Sequence, residues 1–427
     1  MPVDMSAEVA VIGLGRIGLP LAISFADRGL RVLGIDKDPD RLQAVRDGRM
    51  PFEEPGAQDA LDRVHANGTL TVSDRVADAA LAENIVITLG TPSLSHIEID
   101  ISDIRSALDD LLPHLNCGQT IVLRSTIAPG TTEFVAGYLA KHRDLVVGED
   151  VFVAHAPERI AAGRFFEEIV TLPCIIGGVD QESGERVGAL FSVFGAPIVQ
   201  TSPVQAELAK IWTNILRYAN FALPNLLMMD CEQHGANVFE VIDLINRDYP
   251  RGGIALPGLT AGTCLRKDFA FSEERSNAPG MLLAVSRVNE SVPLFLVEGM
   301  KRRIGSLNGR KIAVLGLAFK GNTDDERDSL AHKLVRLLER ELADVVVHDP
   351  RVATPTPPFE AAVAAADAIV VAANHDEFQG NGPLRLIAEL AGEDTLIVDP
   401  WNCFGAAQVF AYVTELSAIT NGQVALP

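Results

Sequence analysis

Short apolar runs alternate with segments of helical period along much of the chain. Residues 8–14 (EVAVIGL) read as a buried strand, followed by a glycine cluster and an apolar helix over 20–27. After Arg28-Gly29 the run LRVLGID is a second strand. NIVITLG (84–90), TIVLRST (120–126) and DVFVAHA (150–156) are further strands, with helical patterns such as ISDIRSALDDLLPHL between them. Strands alternating with helices predict a parallel, doubly wound sheet. Beyond about residue 200 the pattern becomes helical. Residues 202–234 form one long helix candidate, opened by Ser202, Pro203 and Gln205 as a capping box with proline at the first helical position. Residues 281–301 form a second. At Lys311 the strand–helix order restarts with KIAVLGLAF, a helix over 329–342, DVVVHDP, DAIVVAA (367–373) and DTLIVDP (394–400). The expected fold class is α/β: two doubly wound parallel-sheet domains, 1–200 and 303–427, joined by a central helical segment, 201–302.

Composition fits that picture. The 427 residues match two or three domains at roughly 150 residues each. Apolar residues make up 48% and charged residues 22%, enough for buried cores. A net charge of −21 argues against a nucleic-acid or anionic membrane surface, because phosphate contacts need clustered Lys and Arg. It does not exclude one phosphorylated small ligand held by a local cation. The five cysteines are scattered without C-x-x-C, so neither a disulfide framework nor a zinc site is expected. The nine histidines lack metal-ligand spacing. No basic n-region precedes a long apolar stretch at the N-terminus, and no run approaches a membrane span. The expectation is a soluble, cytoplasmic protein.

Gly13-Leu14-Gly15-Arg16-Ile17-Gly18 fits G-x-G-x-x-G between a strand and a helix, the signature of a Rossmann-like dinucleotide site. The first glycine turns the chain, the second admits a pyrophosphate, and the third allows close packing at a helix N-terminus. Asp36 ends the next strand, where a carboxylate can accept from an adenosine ribose and repel a 2′-phosphate. NAD is therefore favoured over NADP. Cys264, in AGTCLRKD, is the only cysteine in a glycine turn beside cations, Arg266 and Lys267, which can hold a thiol as thiolate. It reads as a nucleophile. The other four read as inert apolar residues.

Glu207, Lys210 and Asn214 share one face of the long helix amid apolar neighbours. A lysine on a helix is ordinarily a solvated charge; partly buried, it could stabilise an alkoxide. Loops at the carboxyl ends of strands carry Thr91-Pro92, Ser125-Thr126 and Pro157-Glu158-Arg159. Glu158 could act as base or orient water. Lys320 and Arg327, in FKGNTDDER after a second glycine turn, could grip a second phosphate-bearing ligand.

Together GLGRIGLP, RSTIAPGTT, HAPERI, AELAKIWTN, AGTCLRKD and LGLAFKGNTDDERDS resemble, in order, the NAD-dependent nucleotide-sugar 6-dehydrogenases that act on UDP-glucose, UDP-N-acetylmannosamine, UDP-N-acetylglucosamine or GDP-mannose. The resemblance covers nearly the whole chain. It implies an NAD-binding domain over 1–200, a central dimerisation domain with the cysteine loop over 201–302, and a UDP-binding domain over 303–427. It implies that Cys264 attacks the C6 aldehyde left by a first hydride transfer, and that a thioester left by a second is hydrolysed. Asp268 and Thr126 would position or activate water, with Glu158 the candidate base, while Lys210 and Asn214 hold the C6 oxyanion. NAD would be held by Gly13, Gly15, Arg16, Ile17, Gly18, Asp36, Thr91, Pro92, Ser125, Lys267 and Arg327. The nucleotide sugar would be held by Arg159, Gly262, Lys320 and Arg251, with Arg247 competing for the place of Arg251 in a neighbouring subunit's site. The long helix would form a homodimer interface.

The chain departs from the pattern at three places. Ala162 stands where many members have a second glutamate, the cysteine loop reads Ala-Gly-Thr rather than Gly-Gly-x, and Arg266 replaces a common proline. PERIAAGRFFEEI and TNILRYANFALPN look closer to the N-acetylhexosamine branch than to plain UDP-glucose enzymes. Two other classes fit parts of the sequence: a nucleotide-sugar binding protein without turnover, and a two-electron 3-hydroxy-acid dehydrogenase. The first has no need of Cys264, Lys210, Asn214 and Asp268 together. The second has no need of the cysteine loop or another α/β domain.

Overall fold

A computed structural model describes residues 7–91, 101–143, 145–260, 262–273 and 280–420. The chain forms two compact units, Met1–Thr213 with Ala270–Ser276, and Asn214–Phe269 with Asn277–Pro427. Unit one is built on an eight-stranded sheet. Its strands are β1 (Ala7–Ile12), β2 (Val32–Ile35), β3 (Leu70–Ser73), β4 (Ala82–Ile87), β5 (Gln119–Leu123), β6 (Val151–His155), β7 (Cys174–Gly178) and β8 (Ile198–Thr201), in the order β3-β2-β1-β4-β5-β6-β7-β8. All neighbours are parallel except β6 and β7, which run antiparallel. The central strands are apolar on both faces because helices cover both. Leu19, Ile23 and Phe25 of α1 (Gly18–Asp27) lie in one core with Val9, Val11 and Val122, while Ile85, Ile121 and Val153 face a second core.

Unit two carries a five-stranded sheet of β9 (Lys311–Leu315), β10 (Asp344–His348), β11 (Ala368–Val371), β12 (Leu396–Val398) and β13 (Phe410–Tyr412), ordered β10-β9-β11-β12-β13. β13 is antiparallel and the rest are parallel. The predicted doubly wound α/β class is what forms, each sheet being parallel but for one antiparallel pairing.

Five more helices bear on the site: α2 (Thr131–Arg143), α3 (Pro203–His234), α4 (Thr263–Glu273), α5 (Met281–Ile304) and α6 (Leu330–Arg340). α3 begins as the sequence predicts, but its capping box is half formed. Gln205 Oε1 accepts from Ser202 N at 3.3 Å and from Ser202 Oγ at 3.0 Å, so the serine hydroxyl donates to Gln205 instead of capping. Ser329 does cap α6, accepting from Ala331 N.

Candidate active site

In unit one the glycine turn follows β1. Gly13 has a φ of +94°, and a Cβ on Gly18 would sit 1.8 Å from the Gly13 carbonyl oxygen, so a side chain is excluded there. A Cβ on Gly15 would meet nothing, which leaves the backbone open to an approaching pyrophosphate. Thr88 at the end of β4 clamps the turn, its hydroxyl donating to Gly13 O at 2.5 Å. Asp36 ends β2 as expected, but its carboxylate already has protein partners. It accepts from Leu14 N at 2.6 Å, Asp38 N at 2.9 Å and Arg41 Nη1 at 2.8 Å. The turn borders a cleft of about 660 Å3, lined by Gly13, Gly15, Asp36, Arg41 and Thr88 among others. Open backbone, a helix N-terminus and a carboxylate beside the turn suit a dinucleotide. Arg16 and Ile17 lie in the same turn, Arg16 over the Phe52 ring at 5.1 Å.

The loops after β4, β5 and β6 are stitched together. Ser125 Oγ donates to Leu89 O at 2.6 Å, and Thr91 Oγ1 to Thr126 O at 2.7 Å. Pro92 lies outside the described residues. Glu158 is buried and bound by Arg124 Nη2 at 2.6 Å, while its other oxygen accepts from Ile160 N at 2.7 Å. Those two contacts tie Glu158 to Arg124 and to its own loop. Arg159 donates to Pro173 O at 2.6 Å.

Lys210 on α3 is buried, with no hydrogen bond or ion pair among the described residues. Glu207, one turn earlier, accepts from Gly130 N, Thr132 N and Thr132 Oγ1 and so caps α2 rather than pairing with the lysine. Burial raises the Glu207 pKa, and those hydrogen bonds offset part of the rise. His155, fully buried, gives its Nδ1 to Leu123 O at 2.8 Å. Burial pushes its pKa down to about 3, with the nearby cations Arg124 and Lys210 adding to the effect and the Leu123 hydrogen bond opposing it. The lysine therefore has a neutral imidazole nearby. Thr88, Arg124 and His155 carry no local signature; each read as part of a strand.

In unit two Cys264 is exposed on the first turn of α4. One turn on, Asp268 is fully buried and accepts from Asn214 Nδ2 at 2.5 Å, while Lys267 Nζ lies 3.5 Å from its other oxygen. That oxygen, Oδ1, is buried and has no hydrogen-bond partner among the described residues. Asn214 follows Lys210 by four residues on α3, and Asp268 follows Cys264 by four on α4. The Asn214–Asp268 hydrogen bond thus joins Asn214 to the helix that carries the candidate nucleophile.

The second glycine turn, at Gly316, is built like the first. Asp349, ending β10, accepts from Leu317 N at 2.6 Å, Ala318 N at 3.1 Å and His375 Nε2 at 3.2 Å. Burial would raise its pKa, but hydrogen bonds from His375, Arg351 N and Leu317 N outweigh that and hold it below the usual carboxylate range. Lys320 is half-buried in the segment that follows. Arg327 grips Asp325 through Nε and Nη2 at 2.9 and 2.7 Å. Arg251 is exposed and bonded to the Tyr249 hydroxyl, and Arg247 pairs with Asp243.

Three family models match in sequence order, described as the NAD binding domain (7–195), the central domain (204–291) and the UDP binding domain (313–406) of the UDP-glucose/GDP-mannose dehydrogenase family. The chain belongs to that family. Its activity is that of an NAD-dependent oxidoreductase acting on nucleotide sugars. The UDP-N-acetyl-D-mannosamine dehydrogenase of Pyrococcus horikoshii is 37% identical over 379 residues, covering 87% of this chain and 90% of that one. An NDP-N-acetyl-D-galactosaminuronic acid dehydrogenase of Ralstonia nicotianae is 33% identical over 425 residues, covering 94% and 97%. The solved structure of the Pyrococcus horikoshii UDP-D-ManNAc dehydrogenase superposes with a TM-score of 0.85 at 35% identity, covering 92% of this chain and 94% of that one.

Since Asp36 anchors Leu14 N and neutralises Arg41, its loss would loosen the turn and free a cation near the ribose end. NAD should be the better substrate in the wild-type enzyme. Asp36→Ala should raise the KM for NAD by about tenfold or more, the size of a lost hydrogen bond to a charged group, and narrow the preference over NADP. Steady-state kinetics with both cofactors check this; NADP equal to NAD in the wild type would contradict it.

Proposed function

We propose that the chain oxidises the C6 hydroxyl of a UDP-N-acetylhexosamine to the uronic acid in two steps, through a covalent intermediate on Cys264. The observation that carries this is the exposed Cys264 thiol on α4, backed one turn away by the buried Asp268–Asn214 pair. The N-acetylhexosamine preference, over UDP-glucose, is supported by the N-acetylated sugars named for the relatives from Pyrococcus and Ralstonia. The working segments are 1–200 for NAD, 201–302 for the cysteine loop and dimerisation, and 303–427 for the nucleotide.

NAD held at the Gly13–Gly18 turn would supply the hydride acceptor, with two NAD molecules reduced in succession per sugar. In the first oxidation the C6 hydroxyl loses its proton to water while Lys210, with the remaining amide hydrogen of Asn214, stabilises the developing alkoxide. The Cys264 thiolate then adds to the aldehyde, forming a C–S bond and a thiohemiacetal oxyanion held by the same pair. Loss of a second hydride from C6 leaves a thioester. Water, oriented by Asp268 and the Thr126 hydroxyl, adds to the thioester carbonyl; the C–S bond breaks, releasing the acid and restoring the thiol. Ser125, Thr91, Lys267 and Arg327 would line the cofactor, and Gly262, Arg159, Lys320 and Arg251 the nucleotide sugar. Glu158 keeps the β6 loop in place through Arg124.

An apolar stripe of Val204, Leu208, Trp212, Leu216, Leu223 and Leu226 is exposed along α3. A stripe of this length on one helix suits burial against the same helix of a second copy, which is where a homodimer would form.

Lys320→Ala should raise the KM for the nucleotide sugar by about 10–100-fold, the size of one lost charge-assisted phosphate contact, with the KM for NAD nearly unchanged. Equal movement of both constants would take the nucleotide away from residues 303–427. The reaction itself is tested by incubating the enzyme and NAD with a panel of UDP-sugars and following NADH. Turnover of a UDP-N-acetylhexosamine ahead of UDP-glucose is expected, and no NADH from any sugar would overturn the reading.

A further inference from the structure

Arg266 sits between the cysteine turn and residues 319–328. Cys264 lies between two residues that reach the same backbone carbonyl, that of Asp328. On one side Gly262 N approaches Asp328 O at 3.4 Å. On the other, Arg266 Nη1 donates to the same oxygen at 3.2 Å. Asp328 has a φ of +55°, a conformation that a non-glycine residue keeps only when its surroundings hold it. It closes the segment that begins with Phe319 and Lys320.

Phe319 reaches the same turn from the other end of the segment. A Cβ on Gly262, whose φ is +96°, would lie 2.7 Å from the Phe319 ring. The cysteine turn is therefore gripped by both ends of 319–328. Arg266 completes the grip by donating Nε to Glu290 Oε1 at 2.5 Å. Glu290 in turn holds Lys333 of α6 through its other oxygen at 3.0 Å, and Lys333 also donates to the Glu290 carbonyl at 2.7 Å. One guanidinium thus joins α4, α5 and the segment carrying Lys320.

We infer that Arg266 is a positioning residue that makes the placement of the Cys264 thiol depend on nucleotide bound at the Lys320 segment. The inference rests on the reading of 303–427 as the nucleotide-binding unit and goes beyond it. A planar fork meets Glu290 from Nε and the Asp328 carbonyl from Nη1, two atoms held apart by a rigid plane; a lysine ammonium would have to reach both acceptors from a single nitrogen. Charge alone therefore does not substitute for arginine here.

The test reads the alkylation rate of Cys264 by iodoacetamide, followed by peptide mass spectrometry on the full-length protein, with and without saturating UDP. UDP affinity is measured in parallel by calorimetry. In the wild type UDP should change the rate by about fivefold or more, the lower range of a site-to-site coupling. Arg266→Met should bind UDP nearly as well yet lose most of that change. Arg266→Lys, which keeps the charge, should lose it too, and Glu290→Gln should retain part of it. A UDP effect of wild-type size in both Arg266 variants overturns the inference, as does wild-type enzyme that binds UDP with no change at Cys264. Absence of UDP binding to the wild type overturns the nucleotide assignment itself, and the inference with it.

Discussion

Replacing Cys264 by alanine is expected to abolish uronic acid formation while leaving NAD and UDP binding close to wild type. A primary alcohol can lose one hydride with only a proton acceptor and an oxyanion site. The aldehyde that results has no second hydride to give until something adds to its carbonyl, and a thiolate does this well because its thioester is readily hydrolysed. Of the five cysteines, only Cys264 opens a helix in a glycine turn; Cys231 and Cys403 are buried, and burial pushes both thiols up in pKa. Cys264→Ser separates capture from release. It should accumulate a covalent sugar adduct visible by intact-protein mass, since an oxygen ester hydrolyses less readily than a thioester. An alanine variant that makes acid at the normal rate would remove the cysteine from the mechanism.

Lys210→Ala is expected to lower kcat by a factor on the order of 10²–10³ with little change in the KM for either substrate, the usual result of deleting one preorganised oxyanion donor. The lysine is buried, and no described carboxylate pairs with it. Glu207, the nearest candidate in sequence, is committed to the first turn of α2. His155 is held neutral by burial. An ammonium without a counter-ion in a poorly solvated place gains most when a negative charge appears beside it, which happens as the C6 oxygen becomes anionic. A Lys210→Ala enzyme with near-normal kcat would make this lysine a structural or surface charge.

Much of the fold was legible because its central strands are continuous apolar runs bounded by glycine turns. β2 and β6 fall inside the predicted segments, and β1, β4 and β5 begin one or two residues before theirs. β3, β7 and β8 were not legible. LTVS and IVQT are four residues each, and CIIGG ends in two glycines, so none offers a period long enough to read. The reversal between β6 and β7 leaves no mark in the local pattern, since direction is set by the connection. The glycine turns, Asp36 and the cysteine turn could be read because each packs its chemistry into a few adjacent residues. The partners that define the site could not. Arg124 reaches Glu158 across 34 positions, Asn214 reaches Asp268 across 54, and Arg266 reaches Asp328 across 62. Glu207 looked like a companion of Lys210 because helix spacing says which residues share a face, not what lies opposite them.

The stoichiometry of cofactor to sugar tests the central claim most directly. With a limiting amount of the preferred UDP-sugar and excess NAD, the wild-type enzyme should run to completion with two NADH and one uronic acid for each sugar consumed. One NADH per sugar, with aldehyde as the product, would contradict the four-electron account.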